Sequence, residues 1–220
     1  MKEKVLVVDL DNCLFLDEKT RKGSEEVKDE AWFDVFSECD RKKLELVLDK
    51  IETELAGGKG DRKDIVLKVC KFFDLPETEK DIEKRCKFFS EIVKKGILKI
   101  GVSNDNKKAL DLISKKIPIY VNTATPKDQA KDILRDLDIL KFFKDIYGRP
   151  ETKMENMRLI VEREKIKSEE CLYVDDQESG CLIAKKIGCN FIGMQTNRNS
   201  KWNNNIVSFP IIYSLLEIVK

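Results

Sequence analysis

The run Lys4-Val-Leu-Val-Val-Asp9 restricts the fold of this chain more than any other feature. Four consecutive apolar residues, three of them β-branched, offer solvent no polar face. As a strand the segment must be covered on both sides, the pattern of a strand inside a parallel sheet. It ends on an acidic cluster, Asp9-Leu-Asp11. Strand and helix signals later alternate: strand at 117–121, helix from 126 to about 140, strand at 145–147, helix at 152–163, strand at 171–174, helix at 179–187 and strand at 190–194. That βαβ rhythm predicts an α/β fold with a parallel sheet. Thr125 is a candidate N-cap for the helix after the second strand, with Pro126 at its first position, Asp128 in the capping-box place, and Ala130, Ile133, Leu134 and Leu137 as its buried stripe. Gly188 suits a left-handed helix end. Residues 197–205 read as polar loop, and residues 211–219 as a helix packed on the sheet.

Between residues 24 and 96 the character changes. The segment is highly charged, and its apolar residues recur at helical spacing, as at Leu44, Val47, Leu48, Ile51 and Leu55. It predicts an all-helical insert, with Gly57-Gly-Lys-Gly-Asp-Arg62 as an interhelical loop and Pro76 as a break. The expected division is a core of residues 1–16 and 97–220 and a helical domain of residues 17–96. The pairs Phe72-Phe73 and Phe88-Phe89 are expected in the core of the insert.

Composition narrows the chemistry. Lysine and arginine (42) balance aspartate and glutamate (41), so no global field draws the protein to nucleic acid or an anionic membrane. The longest apolar stretches are too short to span a bilayer and no signal peptide is visible, so a cytoplasmic protein is expected. The seven cysteines form no CxxC pair and read as buried free thiols. Histidine is absent, which excludes a Ser-His-Asp triad, a His-paired cysteine nucleophile and imidazole-ligated zinc.

Carboxylates remain, and they fall where open α/β sheets place their functional crevice, beyond the carboxyl ends of strands. Asp9-Leu-Asp11 follows the first strand, Thr123 the second, and Asp175-Asp176 the run Cys171-Leu-Tyr-Val174. A lone Asp-x-Asp is often only a turn, Thr123 alone a strand-end hydroxyl, and Lys153 alone a solvated helix residue. Gathered together, carboxylates about 4 Å apart repel by roughly 4 kcal/mol at an effective dielectric of 20. A hard divalent cation relieves that, and oxygen-only ligands point to Mg2+.

The ordered motifs Val7-Val-Asp-Leu-Asp-Asn-Cys13, Ile119-Tyr-Val-Asn-Thr-Ala-Thr-Pro126, Lys153 and Leu172-Tyr-Val-Asp-Asp-Gln-Glu-Ser-Gly180 resemble the four motifs of the haloacid dehalogenase superfamily, in the branch with a helical cap after the first motif. That branch includes phosphoglycolate phosphatase and β-phosphoglucomutase. The resemblance covers nearly the whole chain. It implies a Rossmann-like core with helices on both faces and a cap. It also implies that Asp9 is a nucleophile toward phosphorus and Asp11 a proton shuttle, that Thr123 and Lys153 hold phosphoryl oxygens, and that Mg2+ is bound by Asp9, the Asp11 carbonyl and Asp176, with Asp175 either coordinating or acting through water. The Asn12 amide and Ala124 would face the phosphate, and Lys59 and Arg62 on the cap loop would meet the rest of a small phosphate ester. The chain departs from the family at Asn12-Cys13, where Gly-Thr is usual, and at Gly180, where many phosphatases carry a second acid. Asp11 argues for phosphate chemistry, since dehalogenases lack it. A phosphomutase using the same residues and a catalytically weak binding module are the alternatives. Ile97-Leu-Lys-Ile-Gly-Val-Ser-Asn104 offers Ser103 as a rival to Thr123, but the order of the following elements favours Thr123.

Overall fold

The computed structural model describes residues 2–55, 60–203 and 205–219. The chain divides into two compact units, Met1–Glu25 with Ile97–Lys220, and Glu26–Gly96. It opens with β1 (Val5–Val8) and continues through four helices, α1 (Ser24–Val35), α2 (Arg41–Leu55), α3 (Arg62–Phe72) and α4 (Glu79–Ile100). Then come α5 (Asn104–Ser114), β2 (Ile119–Pro126), α6 (Lys127–Asp136), β3 (Asp145–Arg149) and α7 (Lys153–Glu164). The rest is β4 (Cys171–Asp175), α8 (Glu178–Ile187), β5 (Asn190–Met194), β6 (Ile211–Ile212) and α9 (Leu216–Val219).

In the first unit the six strands form one parallel sheet, ordered β3-β2-β1-β4-β5-β6. The most apolar strand is the most enclosed: β1 lies between β2 and β4, and each of its four residues is at most 1% exposed. With this strand order, the right-handed rule for parallel crossovers puts α5 and α6 on one face and α7 and α8 on the other. Met157 and Ile160 of α7 and Ala184 of α8 pack with Val5, Val7, Tyr120 and Tyr173 on that second face. The α/β architecture expected from the sequence is therefore present.

Several local expectations are corrected. β2 runs through Pro126, so Pro126 takes the N-cap place of α6 without a side-chain cap, and the Thr125 hydroxyl is spent elsewhere. Residues 211–219 are not one helix: Ile211–Ile212 adds a sixth strand, and only Leu216–Val219 is helical. Ser103 follows a helix rather than a strand, and its side chain accepts the Asn106 amide as the N-cap of α5. Residues 17–25 belong to the first unit. Leu16 bridges Gly23, and Arg21 donates to the carbonyls of Gln195 and Tyr213. All seven cysteines are free as expected, but only Cys13, Cys70 and Cys171 are fully buried.

The second unit is helical among the described residues. Leu44, Val47, Leu48 and Ile51 make the buried stripe of α2, and Asp61 with Asp64 caps α3 through a reciprocal box. Trp32 lies against Phe89 at a centroid distance of 4.0 Å. Adjacent helical residues point about 100° apart, so the Phe pairs cannot both face inward. Phe89 is buried, whereas Phe72 and Phe88 are exposed. No described helix is long and apolar enough to cross a membrane.

Asn106 joins two distant stretches of the first unit. Its side chain donates to the Cys13 carbonyl at 3.3 Å and accepts the Leu215 amide at 2.8 Å, and it is buried. Asn106→Ala strands two buried backbone groups, each costing about 1–3 kcal/mol. Urea unfolding should show a loss in that range or above it, and an unchanged midpoint would refute the structural role.

Candidate active site

Register brings the acidic positions together. Val8 is aligned with Val121 and Val174, so Asp9, Asn122 and Asp175 stand side by side at the carboxyl edge of the sheet. The Asp9 amide donates to the Val174 carbonyl at 3.0 Å. Lys153, the first residue of α7, reaches into this edge. Its ammonium lies 3.2 Å from Asp9 Oδ1 and 2.8 Å from Asp175 Oδ2. Asn122 fixes the start of α7 from below: its amide donates to the Lys153 carbonyl at 2.9 Å, and its oxygen accepts from Asn156 at 3.1 Å. Thr152 and Glu155 close a capping box at the same turn.

Asp175, expected among the metal ligands, has its carboxylate committed within the protein. Oδ2 accepts from Lys153 and from the Tyr173 hydroxyl, and Oδ1 accepts the Gln177 amide at 2.9 Å. Through these bonds it holds the lysine ammonium. Gly180 packs onto this acid, and a Cβ there would fall 2.5 Å from Asp175 Cβ and Cγ. That contact gives a steric reason for glycine where many phosphatases carry an acid.

Asp11 is held by two hydroxyls. Its Oδ1 accepts from Ser24 Oγ at 2.7 Å and its Oδ2 from Thr125 Oγ1 at 3.2 Å. The Asn12 amide, expected to face phosphate, donates to Ser24 Oγ at 3.3 Å. Its side chain accepts the Glu25 amide, and its φ of 53° is left-handed, a conformation that asparagine tolerates better than most residues. Thr123 is fully buried, with its hydroxyl accepting the Thr125 amide at 3.1 Å, and Ala124 is exposed at the same strand end. The cap-loop expectations fare differently. Lys59 lies outside the described residues, and the Arg62 guanidinium is engaged within its own unit, 4.6 Å over the Phe89 ring and bonded to Ser90 Oγ.

A third group gathers around Asp9. One ligand atom each from Asp9, Cys13 and Asp176 lie within 4.8 Å of one another, all three residues being buried. Asp9 Oδ1, in ion contact with Lys153, and Asp176 Oδ1 have no hydrogen-bond partner among the described residues. Burial, opposed by Lys153 and reinforced by Asp175 and Asp11, raises the Asp9 carboxyl to about 8. Burial together with Asp9 and Asp175 raises Asp176 to about 9. Burial works against the Lys153 charge, yet Asp175 and Asp9 hold its pKa well above the ordinary value. Burial and the surrounding acids push the Cys13 thiol upward. One ammonium is thus shared between Asp9 and Asp175, and Asp176 Oδ1 is buried with no hydrogen-bond partner among the described residues. Such a donor set fits a divalent cation.

No local sequence signal marks Ser24, Thr125 or Asn156 as supporting groups, or Tyr173 beyond its apolar strand. Asn199 also went unmarked, although it donates to the Asp176 and Met194 carbonyls at 2.8 and 3.0 Å.

Comparison with known proteins agrees with this fold. The sequence profile of the haloacid dehalogenase-like hydrolase family matches residues 66–194, more than half of the chain. The chain belongs to that family and is a hydrolase of the haloacid dehalogenase type. A protein of Haemophilus somnus assigned as a phosphoglycolate phosphatase is 19% identical, with a TM-score of 0.69 over 100% of this chain and 97% of its own. A haloacid dehalogenase-type hydrolase of Bacillus subtilis, whose structure holds magnesium, is 16% identical, with a TM-score of 0.69 over 99% and 97%. β-Phosphoglucomutase of Clostridium difficile is 16% identical, with a TM-score of 0.66 over 98% and 93%. No curated protein sequence gives a significant match.

Two outcomes test the site. Without a cation, folded Asp176 keeps its proton to about pH 9, whereas the unfolded chain releases it near 3.8. The folded state binds the extra proton in that window, so the stability linked to the neutral acid falls as pH rises. In chelator, Asp176→Asn should therefore gain stability over the parent by more than ~1 kcal/mol between about pH 5 and pH 9. Parallel unfolding curves across that range would contradict the buried, cation-free acid. Gly180→Ala should cost about 1–3 kcal/mol in urea unfolding through overpacking on Asp175, and full retention of stability would show that the contact is yielding.

Proposed function

We propose that this hydrolase cleaves a small phosphate monoester through a phosphoryl intermediate on Asp9, with Mg2+ as its cofactor. The observation that carries the reading is the division of labour between two acids separated by one residue. Asp9 faces Lys153 and Asp176, and Asp11 is held by two hydroxyls.

An Asp9 oxygen attacks phosphorus as the bond to the ester oxygen breaks, and Asp11 gives that departing oxygen its proton. Asp11 then takes a proton from water, which attacks the phosphorus of the aspartyl phosphate, releases inorganic phosphate and restores Asp9. Ser24 and Thr125 suit this exchange, because a hydroxyl either donates to a carboxylate or accepts from a carboxylic acid by rotation. Asp11 thus keeps its partners in both protonation states. Lys153 offsets the charge of Asp9 and, with Thr123, holds the phosphoryl oxygens. Ala124 lies at the same strand end and would border the phosphate. Asp175 and Tyr173 keep the ammonium in place. Asp9 and Asp176, with the Asp11 carbonyl that the family pattern implies, would hold magnesium. Bound there, the ion supplies the positive charge that keeps Asp9 ionised and offsets the phosphoryl oxygens.

p-Nitrophenyl phosphate hydrolysis should require Mg2+, vanish in Asp9→Asn and fall by ~10² to 10⁴ in Asp11→Asn. Acid-quenched Asp11→Asn protein should carry a phosphoryl adduct on the peptide containing Asp9, read by mass spectrometry. Magnesium-dependent turnover that survives Asp9→Asn, or an adduct on another residue, would overturn the assignment.

A further inference from the structure

The sulfur of Cys13 has no part in the reaction above, yet it sits in the middle of the cation-binding group. Cys13 is fully buried, and its Sγ shares a 4.8 Å neighbourhood with one carboxylate oxygen each of Asp9 and Asp176. Each of the two acids also carries a buried oxygen, Oδ1, with no hydrogen-bond partner among the described residues, and the acids are 2% and 5% exposed. Three donors of two different chemical kinds therefore converge, with the Lys153 ammonium 3.2 Å from Asp9 Oδ1 as their neighbour. The backbone that aims the sulfur is fixed on both sides: the Cys13 amide donates to the Leu10 carbonyl, and its carbonyl accepts from Asn106.

We propose that Asp9, Cys13 and Asp176 form a mixed oxygen and sulfur site, in which the Cys13 thiolate ligates a thiophilic divalent ion such as Zn2+, Co2+ or Cd2+ in competition with Mg2+. The inference rests on the reading that Asp9 and Asp176 share a cation, and adds a third donor and a second class of metal. Zinc holds sulfur at about 2.3 Å and carboxylate oxygen at about 2.0–2.2 Å, so a sulfur and an oxygen on one ion are at most about 4.5 Å apart. The three ligand atoms lie within 4.8 Å of one another, a limit a few tenths of an ångström above that bound. Magnesium is a hard ion that takes oxygen ligands and leaves the thiol untouched, whereas thiolate selects softer ions. As the metal–sulfur bond forms, the S–H bond breaks and its proton passes to solvent; the metal does not change oxidation state. An ion held in this way also keeps an Asp9 oxygen as a ligand, and it should inhibit the magnesium-supported reaction.

Cobalt tests the assignment spectroscopically. Chelator-treated full-length protein is titrated with Co2+, and the near-ultraviolet sulfur-to-cobalt charge-transfer band is followed, with Mg2+ binding measured by calorimetry in parallel. The expected result is a band that saturates at one ion per chain, disappears in Cys13→Ser and Cys13→Thr, and persists in Cys171→Ser. Both position-13 variants should still bind Mg2+, while their affinity for Cd2+ should drop by at least about tenfold, or about 1.4 kcal/mol. Cobalt bound to the parent protein without the band, or a band that survives Cys13→Thr, overturns the sulfur ligand and leaves the magnesium reading standing. Failure of the parent to bind either Mg2+ or Co2+ overturns both. The parent measurement decides even if a variant does not fold.

Discussion

The site is organised by one buried ammonium. Lys153 stands between Asp9 and Asp175 at 3.2 and 2.8 Å, on a side chain that is 14% exposed. Such a group is not a net source of stability, because taking the three charges out of water costs about as much as their attraction returns. Its effect is on specificity of position. If the lysine moved away, two adjacent strands would end on opposed, unpaired carboxylates, an arrangement costing about 3–5 kcal/mol in comparable buried pairs. The lysine therefore makes this alignment of β1 and β4 tolerable, and the protein invests accordingly in holding it. Asn122 and Asn156 tie the first turn of α7 to β2, Thr152 caps that turn, and Tyr173 braces Asp175.

Much of this was visible in the chain itself, for identifiable reasons. The apolar run of β1 admits one environment, so its central place in the sheet followed from its composition. β5 and the left-handed Gly188 were also legible, because a β-branched or aromatic strand and a glycine helix end are local signals. Non-local effects were harder to read. Thr125 and Pro126 look like the start of a helix when only their neighbours are considered. The pairing of Pro126 with Arg149 keeps them in β2, and Asp11 claims the threonine hydroxyl. Ile211–Ile212 reads as part of a helical stripe until β5 is present to pair with it.

The same distinction divides the site. The residues that project chemistry stand at strand ends in fixed order, and that order was readable. The groups that orient them are ordinary residues placed by tertiary contact: a serine opening a helix, two asparagines, a tyrosine inside an apolar strand. Nothing in their immediate sequence marks them. Arg62 shows the converse, a basic residue on a glycine-rich loop whose charge is turned toward an aromatic ring and a serine of its own unit.

The loop after β1 is also moored to stretches that lie far downstream. Arg21 ends on the carbonyls of Gln195 and Tyr213, and Asn106 spans from the Cys13 carbonyl to the Leu215 amide. During synthesis on the ribosome, β1 emerges early, but these anchors leave the exit tunnel about two hundred residues later. A nascent chain thus has the Ser24, Asn106 and Thr125 contacts of its acidic loop at hand early, and the loop gains its last moorings only once the final strand has emerged.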